Sequence, residues 1–533
     1  MNGPAEGSAD RALTEEDAEA HVHGICFKTG PPRRVGVELE WLVRDARDPA
    51  LAVPAERIFP AVADLTAPAV LPSPAALPTG GLLTTEPGGQ LELSSAPADS
   101  LGECVTAVRQ EMTTLRQAVQ RAGLALQGYG FDPIRPPRRV LELPRYAAME
   151  EFFDRSGPWG REMMCNTASV QVCLDAGRDT TATGGYRWRW RLAHQIGPML
   201  VAAFANSPLR QRRPSGWRST RQEVWGHLDP GRTRPPGDGG AAGPRDPRDR
   251  YVAYALNAEL MLVRRPGSPS WTAPPGLTFR DWIRDWACDR GGERGRRGTG
   301  RPPTLDDLTY HLSTLFPPVR PRGHLELRMI DAQPGDGWIV PAAVAWALFE
   351  DARAADEAMA AAEPLWDRRA NGHGSATAAA PRPAGPASRQ NGGAARPAAH
   401  GNGGPHDRHR DGRPPSGHGD GAPPAAHGSG GPPDGHGGTA WPGAANGNAA
   451  RRPRGGRRTD NGAPDGNPWL RAARDGLADP VLARASRQCF EAADAALGRA
   501  GAPADIRRRV AEFADRYVLR HRCPADDQLE GMP

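Results

Sequence analysis

Four short segments of the chain alternate polar and apolar residues, a pattern that predicts β-strands with one polar and one apolar face. For any single segment, a half-exposed sheet with a solvated face is the simpler explanation. The four together favour a site, because their polar faces carry mostly carboxylates and amides. The polar residues are Glu38 and Glu40 in segment 35–41, Glu92 in 90–94, Thr167, Ser169 and Gln171 in 166–173, and Glu326 and Arg328 in 324–328.

Helical periodicity occupies much of the chain between these strands. Apolar residues recur at intervals of three and four in 101–122 and 186–205, and two further helices are predicted to begin at Thr304 and at Pro341. Residues 208–249 are rich in Arg, Gly and Pro and are interpreted as a loop. This irregular mixture predicts an α+β enzyme instead of a regular doubly wound sheet.

Composition divides the chain into four parts. Residues 1–32 are predicted to form an N-terminal arm or a first helix, and residues 33–370 form the predicted catalytic domain. Residues 371–467 contain too few apolar side chains to offset the entropy of ordering, which predicts a disordered low-complexity linker. Seven of the 14 histidines lie there, so a metal-binding tract is an alternative. Residues 468–533 regain helical periodicity, with about three helices that pack back on the catalytic domain.

Charge, cysteine spacing and hydropathy exclude several classes of protein. A net charge of +5 over 533 residues, without basic blocks, gives no reason to expect a nucleic-acid partner. Lys28 is the only lysine, which excludes a P-loop. The cysteines lack C-x-x-C spacing, so reduced thiols are expected. No segment resembles a secretion signal or a membrane span, and we expect a soluble cytoplasmic protein without a membrane partner.

The four glutamates of the polar strand faces predict a metal site. Carboxylates at this density repel one another unless cations lie among them, and Mg²⁺ prefers oxygen ligands of this kind. Magnesium bound in this way usually bridges protein and phosphate oxygens, so a nucleoside triphosphate is the implied ligand. Arg328 would neutralise charge on a phosphoryl group during transfer, although a surface ion pair with Glu326 explains its position equally well.

For three further features, a structural explanation competes with a functional one. Arg232 is a candidate to bind a substrate carboxylate, but an arginine in a loop usually faces solvent. Cys165 and Cys173 are candidates for a thiol site, yet cysteines in buried strands usually behave as small apolar residues. The tryptophans and arginines of 186–205 fit an amphipathic helix better than a nucleic-acid patch.

Several motifs resemble those of the glutamate-cysteine ligases of plants and actinobacteria. The resemblance covers about residues 33–365. It departs from the family pattern in the long linker and at Pro318, where an acidic residue is expected. The motifs are VGVELE at 35–40, TEPGGQLELS at 85–94, MMCNTASVQVCLD at 163–175, FANSP at 204–208, DPGRT at 229–233, HLSTLFPPVR at 311–320 and HLELR at 324–328.

This resemblance implies a fold and a set of roles. The fold is glutamine-synthetase-like, with a curved antiparallel sheet that forms a funnel for magnesium and ATP and with helices outside. By position in the motifs, the implied metal ligands are Glu38, Glu40, Glu92 and Glu326, the implied catalytic residues are Arg328 and Glu326, and the implied nucleotide- or substrate-binding residues are Thr167, Gln171 and Arg232.

The implied reaction begins with phosphoryl transfer from ATP to the γ-carboxylate of L-glutamate. The amine of L-cysteine then attacks the acyl phosphate and gives γ-glutamylcysteine. The Ala, Gly, Pro and Arg excess is typical of a GC-rich genome and favours the ergothioneine pathway of actinobacteria. Two alternatives stay open: a ligase of the same fold that uses another amine, and a non-catalytic protein that holds a nucleotide or an amino acid.

Overall fold

The described part of the chain belongs to one compact unit, which draws on residues 1–373 and 460–533. The linker predicted over 371–467 lies outside the described residues, apart from its last two positions. The computed structural model describes residues 12–30, 34–66, 77–236, 246–288, 299–366 and 466–532.

The strands are β1 (Val35–Asp45), β2 (Leu82–Thr85), β3 (Leu91–Ser94), β4 (Leu124–Gln127), β5 (Ser169–Asp175), β6 (Leu209–Arg210), β7 (Arg213–Pro214), β8 (Val319–Pro321) and β9 (His324–Asp331). Seven of them form one antiparallel sheet in the order β2-β3-β1-β5-β9-β8, with β4 paired to the far end of β1. Strands β6 and β7 form a separate hairpin. The predicted mixture of helices and an antiparallel sheet is confirmed.

The helices surround this sheet. In the catalytic region they are α1 (Glu15–Cys26), α2 (Ala55–Val62), α3 (Leu101–Arg121), α4 (Pro144–Asp154), α5 (Trp159–Asn166), α6 (Tyr186–Ala203), α7 (Thr220–His227), α8 (Pro230–Thr233), α9 (Pro247–Asn257), α10 (Phe279–Cys288), α11 (Leu305–Leu312), α12 (Ile339–Glu350) and α13 (Ala352–Trp366). Near the end of the chain they are α14 (Pro468–Asp475), α15 (Pro480–Arg499), α16 (Ala504–Arg516) and α17 (Pro524–Glu530). Among the described helices, none is long and apolar enough to cross a membrane.

Helices α3 and α6 begin at the predicted residues, and α12 begins at Ile339, two residues before the predicted Pro341. Helix α3 starts after Ser100, whose hydroxyl caps it, and α11 starts after Thr304 with both hydrogen bonds of a capping box to Asp307. The interpretation of 208–249 as a loop is wrong, because this segment contains β6, β7, α7, α8 and the start of α9. The helices α7 and α8 have only eight and four residues, too few for a periodic apolar stripe to be recognisable.

The apolar face of the sheet belongs to the main core. Val37 and Leu39 of β1 and Val172 of β5 are at most 1% exposed and pack in one cluster with residues of α3, α6 and α12. Helix α12 is apolar on all sides because it lies between the sheet and the helices α15 and α16. The C-terminal segment contains four α-helices, where the sequence predicts about three, and it packs on the catalytic region. The carboxylates of the sheet lie on the face of the sheet opposite to its apolar face.

Candidate active site

Strand register arranges the polar side chains of the sheet in three rows, which together are called the polar face below. Within a row, residues of neighbouring strands lie directly opposite one another. The sheet therefore brings the four predicted glutamates and Gln171 onto one surface. The first row is Thr84, Glu92 and Glu40, the second is Ser94, Glu38 and Gln171, and the third is Gly36, Cys173, Glu326 and Arg320.

An irregularity in β9 sets the position of Arg328. Between the pairs Val170–Ile330 and Val172–Leu327 the register shifts by one residue, so β9 bulges opposite Gln171. Such bulges commonly redirect a side chain next to an active site. The Nη1 group of Arg328 donates to Gln171 Oε1, and Gln171 Nε2 donates to Glu40 Oε1 at 3.0 Å. Gln171 thus connects the arginine with the first row of carboxylates.

Glu326 is fully buried and surrounded by guanidinium groups. Its Oε2 accepts from Arg320 Nε at 2.6 Å and from Arg328 Nη1 at 3.3 Å, while its Oε1 accepts from Arg322 Nη1 at 3.3 Å. Burial opposes ionisation, but Arg320 and Arg328 outweigh it and lower the pKa of Glu326 to about 2. The pair with Arg328 is therefore not a surface ion pair. These contacts also do not support a metal ligand at Glu326, because arginines already occupy both of its oxygens.

The other carboxylates of the polar face are compensated less well. Burial raises the pKa of Glu92 well above its usual value, and the neighbouring charges of Glu86 and Glu38 add to the shift. Burial, followed by the charge of Glu326, likewise raises the pKa of Glu38. For Glu86, burial and then the charge of Glu40 raise the pKa to about 7. Negative charge concentrated in this way favours a bound cation.

The donor chemistry of Glu38, Glu40 and Glu92 fits magnesium, which binds hard oxygen ligands. In the described part of the chain, however, no three His, Cys, Asp or Glu side chains lie close enough together to hold one ion. Glu40 and Glu92 stand directly opposite on neighbouring strands, where Cβ atoms are about 5 Å apart. Side-chain rotation alone would therefore allow both carboxylates to bind the same cation.

Glu86 belongs to this group, although a search for alternating strands misses it. It lies in the turn between β2 and β3, where Glu86 N donates to Gln90 O and Gly89 N donates to Glu86 O, both at 2.8 Å. The turn brings its carboxylate within electrostatic reach of Glu40 and Glu92. The only signal in the sequence is its place in the motif at 85–94.

We expect Glu86 to make the stability of the ligand-free protein depend on pH. Its pKa is raised in the folded state from the usual 4.5 to about 7, so the folded state binds this proton more tightly than the unfolded chain. The resulting stabilisation is fully present below about pH 4.5 and is lost as the pH rises through about 7. Thermal melting in EDTA at about pH 5 and about pH 8 measures the loss, which Glu86→Gln should reduce.

The matched control for this measurement is Glu142→Gln, because the side chain of Glu142 is 75% exposed. It should melt with the same pH dependence as the unsubstituted protein. If Glu86→Gln also keeps that dependence, the carboxylate of Glu86 is not the group that titrates.

Thr167 does not lie in the strand. Helix α5 continues to Asn166, Thr167 is its C-cap, and β5 begins only at Ser169. The hydroxyl of Thr167 donates to Met163 O at 2.6 Å, and the residue is only 6% exposed. The prediction that Thr167 shares a strand face with Gln171 is therefore wrong. Its hydroxyl is used to end the helix, which does not support a nucleotide- or substrate-binding role.

Arg232 is completely buried instead of facing solvent. Its Nε donates to Asp229 Oδ2 at 2.9 Å, its Nη1 donates to Thr314 O at 3.0 Å, and its Nη2 donates to the carbonyl of Glu259. The guanidinium also stacks 4.5 Å from the ring centroid of Phe152. These contacts join α8 to the segments around it, so the structure assigns Arg232 a structural role and does not support the predicted contact with substrate.

We expect Arg232→Ala to destabilise the protein by about 3 kcal/mol, because it leaves Asp229 and two carbonyls without their buried donor. Chemical denaturation measures the loss. The KM for glutamate of the protein that remains folded should be unchanged. The neighbouring substitution Arg234→Ala, at an exposed position, is the matched control. A stable Arg232→Ala variant with a strongly raised KM would restore the original prediction.

The two cysteines considered for a thiol site lie in different surroundings. Cys165 lies in helix α5 and not in a strand, and it is buried in an apolar cluster with Met164 and Phe153. Cys173 lies in the third row of the polar face, where burial and then Glu38 raise the pKa of its thiol well above the usual value. The thiols of Cys26, Cys104, Cys165, Cys173, Cys489 and Cys523 are free.

A cavity of about 360 Å³ opens beside the third row of the polar face. This volume lies within the range of small-molecule sites. A Cβ atom at Gly36 would lie only 3.2 Å from Ser95 Oγ, so glycine at this position keeps the cavity wide. The cavity is lined by Lys28, Thr29, Gly30, Arg34, Glu38, Cys173, Asp175 and His324, among others.

An arginine held beside clustered carboxylates on one face of a sheet, next to a cavity, is typical of enzymes that transfer a phosphoryl group. The model of glutamate-cysteine ligase family 2 matches residues 34–398. This chain belongs to that family.

Relatives with a known name agree with this assignment. The chain is 40% identical to glutamate–cysteine ligase EgtA of Mycolicibacterium smegmatis over 367 residues, which are 67% of this chain and 79% of the relative. The EgtA of Mycobacterium tuberculosis matches at 40% identity over 68% of this chain and 79% of its own length. The chloroplastic glutamate–cysteine ligase of Medicago truncatula is 30% identical over 47% of each chain. A solved bifunctional glutathione synthetase from Pasteurella multocida gives a TM-score of 0.30 at 14% identity over 63% of this chain and 40% of its own, too low to establish a common fold.

Proposed function

We propose that this protein joins the γ-carboxylate of L-glutamate to the amine of L-cysteine, with conversion of ATP to ADP and phosphate. Family membership supports the substrates. The observation that supports phosphoryl transfer is the position of Arg328, which contacts Gln171 and Glu326 beside the carboxylates of the first two rows. A guanidinium at this place can stabilise the negative charge that develops on a phosphoryl group during transfer.

We propose that the sheet is the curved funnel of a glutamine-synthetase-like fold. Its strands are antiparallel, its carboxylates share one face, and α3, α6 and α12 pack with the apolar residues of the other. These three features agree with a sheet that encloses a charged reaction site on its concave side.

We place ATP at the third-row end of the polar face, in the cavity beside Lys28 and Glu38. The cavity is of suitable size, and its position lets the phosphates extend toward Arg328 and the second row. Lys28 and Arg34 line the cavity and would neutralise phosphate charge, for which Arg34 would exchange its exposed ion pair with Asp99.

Glutamate would then lie at the first-row end, near Glu40 and Arg221. Arg221 is only 3% exposed and lies within electrostatic reach of Glu40. Among the described residues, its Nε and Nη1 have no hydrogen-bond partner. Arg221 already faces the carboxylate of Asp331 at 3.9 Å, so we propose that it contributes positive charge to this end of the polar face. Because the amine of cysteine must attack the carbonyl carbon of the γ-glutamyl phosphate and displace phosphate, it would enter on the same side.

We propose that Glu38, Glu40 and Glu92 would hold magnesium, which would supply positive charge to neutralise the phosphates. Glu326 has a different role: with Arg320 it fixes the guanidinium of Arg328. A free carboxylate is a poor acylating group, so phosphorylation of the γ-carboxylate is what makes amide formation possible. Consumption of ATP favours the cytoplasm as the compartment, and we propose that γ-glutamylcysteine feeds ergothioneine synthesis.

The test is a reaction of the purified protein with ATP, magnesium, L-cysteine and L-glutamate labelled with ¹⁸O in the γ-carboxylate. Mass spectrometry should detect γ-glutamylcysteine and ADP in equal amounts, with one ¹⁸O atom in each released phosphate. ADP without the dipeptide would indicate another amine acceptor, which parallel reactions with other amines would identify. Absence of both products would favour a non-catalytic binding protein, and dipeptide without ¹⁸O in the phosphate would exclude the acyl phosphate.

A further inference from the structure

The C-terminal helices are built into the catalytic region by close backbone contacts. A Cβ atom at Gly197 of α6 would lie 2.0 Å from the ring of Trp469, and one at Gly226 would lie 2.8 Å from Leu470. Helix α14 therefore fits against α6 and α7 only because these positions are glycine. The family model ends at residue 398, so this helical segment lies outside the matched region.

The same helices hold the chain between α6 and α7. Arg218 N and Ser219 N both donate to Ala473 O at 2.9 Å, and Ala525 N donates to Ala205 O at 2.9 Å. Near α17, Gln528 Nε2 donates to Asn206 Oδ1 at 2.6 Å and to Asn206 O at 3.0 Å. The segment 205–222 is thereby fixed from its outer side.

On its inner side, the segment 205–222 is bonded to a buried carboxylate at the end of β9. Asp331 is 1% exposed and accepts from Asn206 N at 2.9 Å, Ser207 Oγ at 2.7 Å and Ser219 Oγ at 2.9 Å. Arg221 Nη1 lies 3.9 Å from the same carboxylate. Three neutral donors and one cation thus hold Asp331 and the segment together.

Two side chains of this segment bind the bulge of β9. Arg221 Nη2 donates to Arg328 O at 2.8 Å, and Gln222 Nε2 donates to Met329 O at 2.9 Å. A bulge interrupts the regular ladder and leaves backbone groups without their usual strand partner. The carbonyls of the two residues next to the register shift are therefore held by the start of α7.

We infer that the C-terminal helices position Arg328 for the reaction. The path runs from Gln528 through Asn206 and Asp331 to Arg221, which holds the bulge that carries Arg328. Gln528, Asn206 and Asp331 are positioning residues, since they act on the site only through other groups. This inference rests on the proposed role of Arg328 in phosphoryl transfer.

The test is a double-mutant cycle on the full-length protein, with kcat for γ-glutamylcysteine formation and the KM for ATP measured in each variant. Gln528→Ala should lower kcat by roughly 10-fold and change KM by less than about 2-fold, because small displacements affect the transition state most. In an Arg328→Lys background, Gln528→Ala should have almost no further effect, since its action passes through Arg328. A purely structural role would give the same loss in both backgrounds.

Two further variants serve as controls for the effect of Gln528→Ala on kcat. Gln488→Ala, an exposed position on α15, should keep the kcat of the unsubstituted protein. Gln528→Met keeps the length of the side chain and should show the same loss if Gln528→Ala melts too easily. An unchanged kcat in both Gln528 variants, or equal losses in the two backgrounds, would overturn the inference. A fully active Arg328→Lys would overturn the proposed role of Arg328 as well, and an inactive unsubstituted protein would contradict the proposed function itself.

Discussion

Replacing Arg328 by lysine should lower kcat for γ-glutamylcysteine formation by about 100-fold or more, with a smaller change in the KM for ATP. Lysine keeps the positive charge but presents no planar fork of donors. In the structure one guanidinium contacts both Gln171 and Glu326, so its position is fixed from two strands. A flexible ammonium group at this place would bind ground-state phosphate but would stabilise the transition state less well.

The matched substitution for this prediction is Arg353→Lys. The side chain of Arg353 is 76% exposed and pairs with Glu357 one helical turn away, so its replacement should leave kcat unchanged. Steady-state kinetics and a melting curve for each variant separate loss of catalysis from loss of folding. A kcat for Arg328→Lys within about 2-fold of the unsubstituted value would show that the fork geometry is not used in the reaction.

Alternation and family resemblance are enough to predict from the sequence that these carboxylates share one face. Period-two alternation places Glu38, Glu40 and Glu92 on one face because side-chain direction in a strand depends only on parity. Register between strands is not contained in that pattern, so the direct opposition of Glu40 and Glu92 appears only in the structure. The same holds for the bulge that orients Arg328, because one extra residue in β9 has no local sequence signature.

The predicted site residues differ in how far their surroundings can be anticipated from the sequence. The roles of Arg232 and Thr167 depend on which groups the fold brings near them. In the structure, the side chains of both residues donate hydrogen bonds to nearby backbone carbonyls. Glu86 and Arg221 join the site from a turn and from the first turn of a short helix, where no alternation exists. Side chains outside long periodic elements therefore need tertiary structure for their assignment.

Glu92→Gln should separate the stability of this protein from its activity. In the folded protein the pKa of Glu92 is raised well above its usual value by burial and by neighbouring carboxylates, so the charged form is unfavourable without a cation. Glutamine has nearly the same shape and no charge. The melting temperature in EDTA at about pH 8 should therefore be equal or higher in the variant, as is common when a strained functional group is removed.

The same substitution should strongly impair the enzyme, because it removes a proposed magnesium ligand directly opposite Glu40. We expect the magnesium concentration for half-maximal activity to rise about 10- to 100-fold. Initial rates at increasing magnesium, beside calorimetric melting, test both halves of the prediction. Glu491→Gln, whose side chain is 58% exposed, should change neither quantity. A carboxylate that serves as a metal ligand is unfavourable in the folded protein until the metal binds. If Glu92→Gln leaves the magnesium dependence unchanged and lowers the melting temperature in EDTA, Glu92 stabilises the sheet instead of holding a cation.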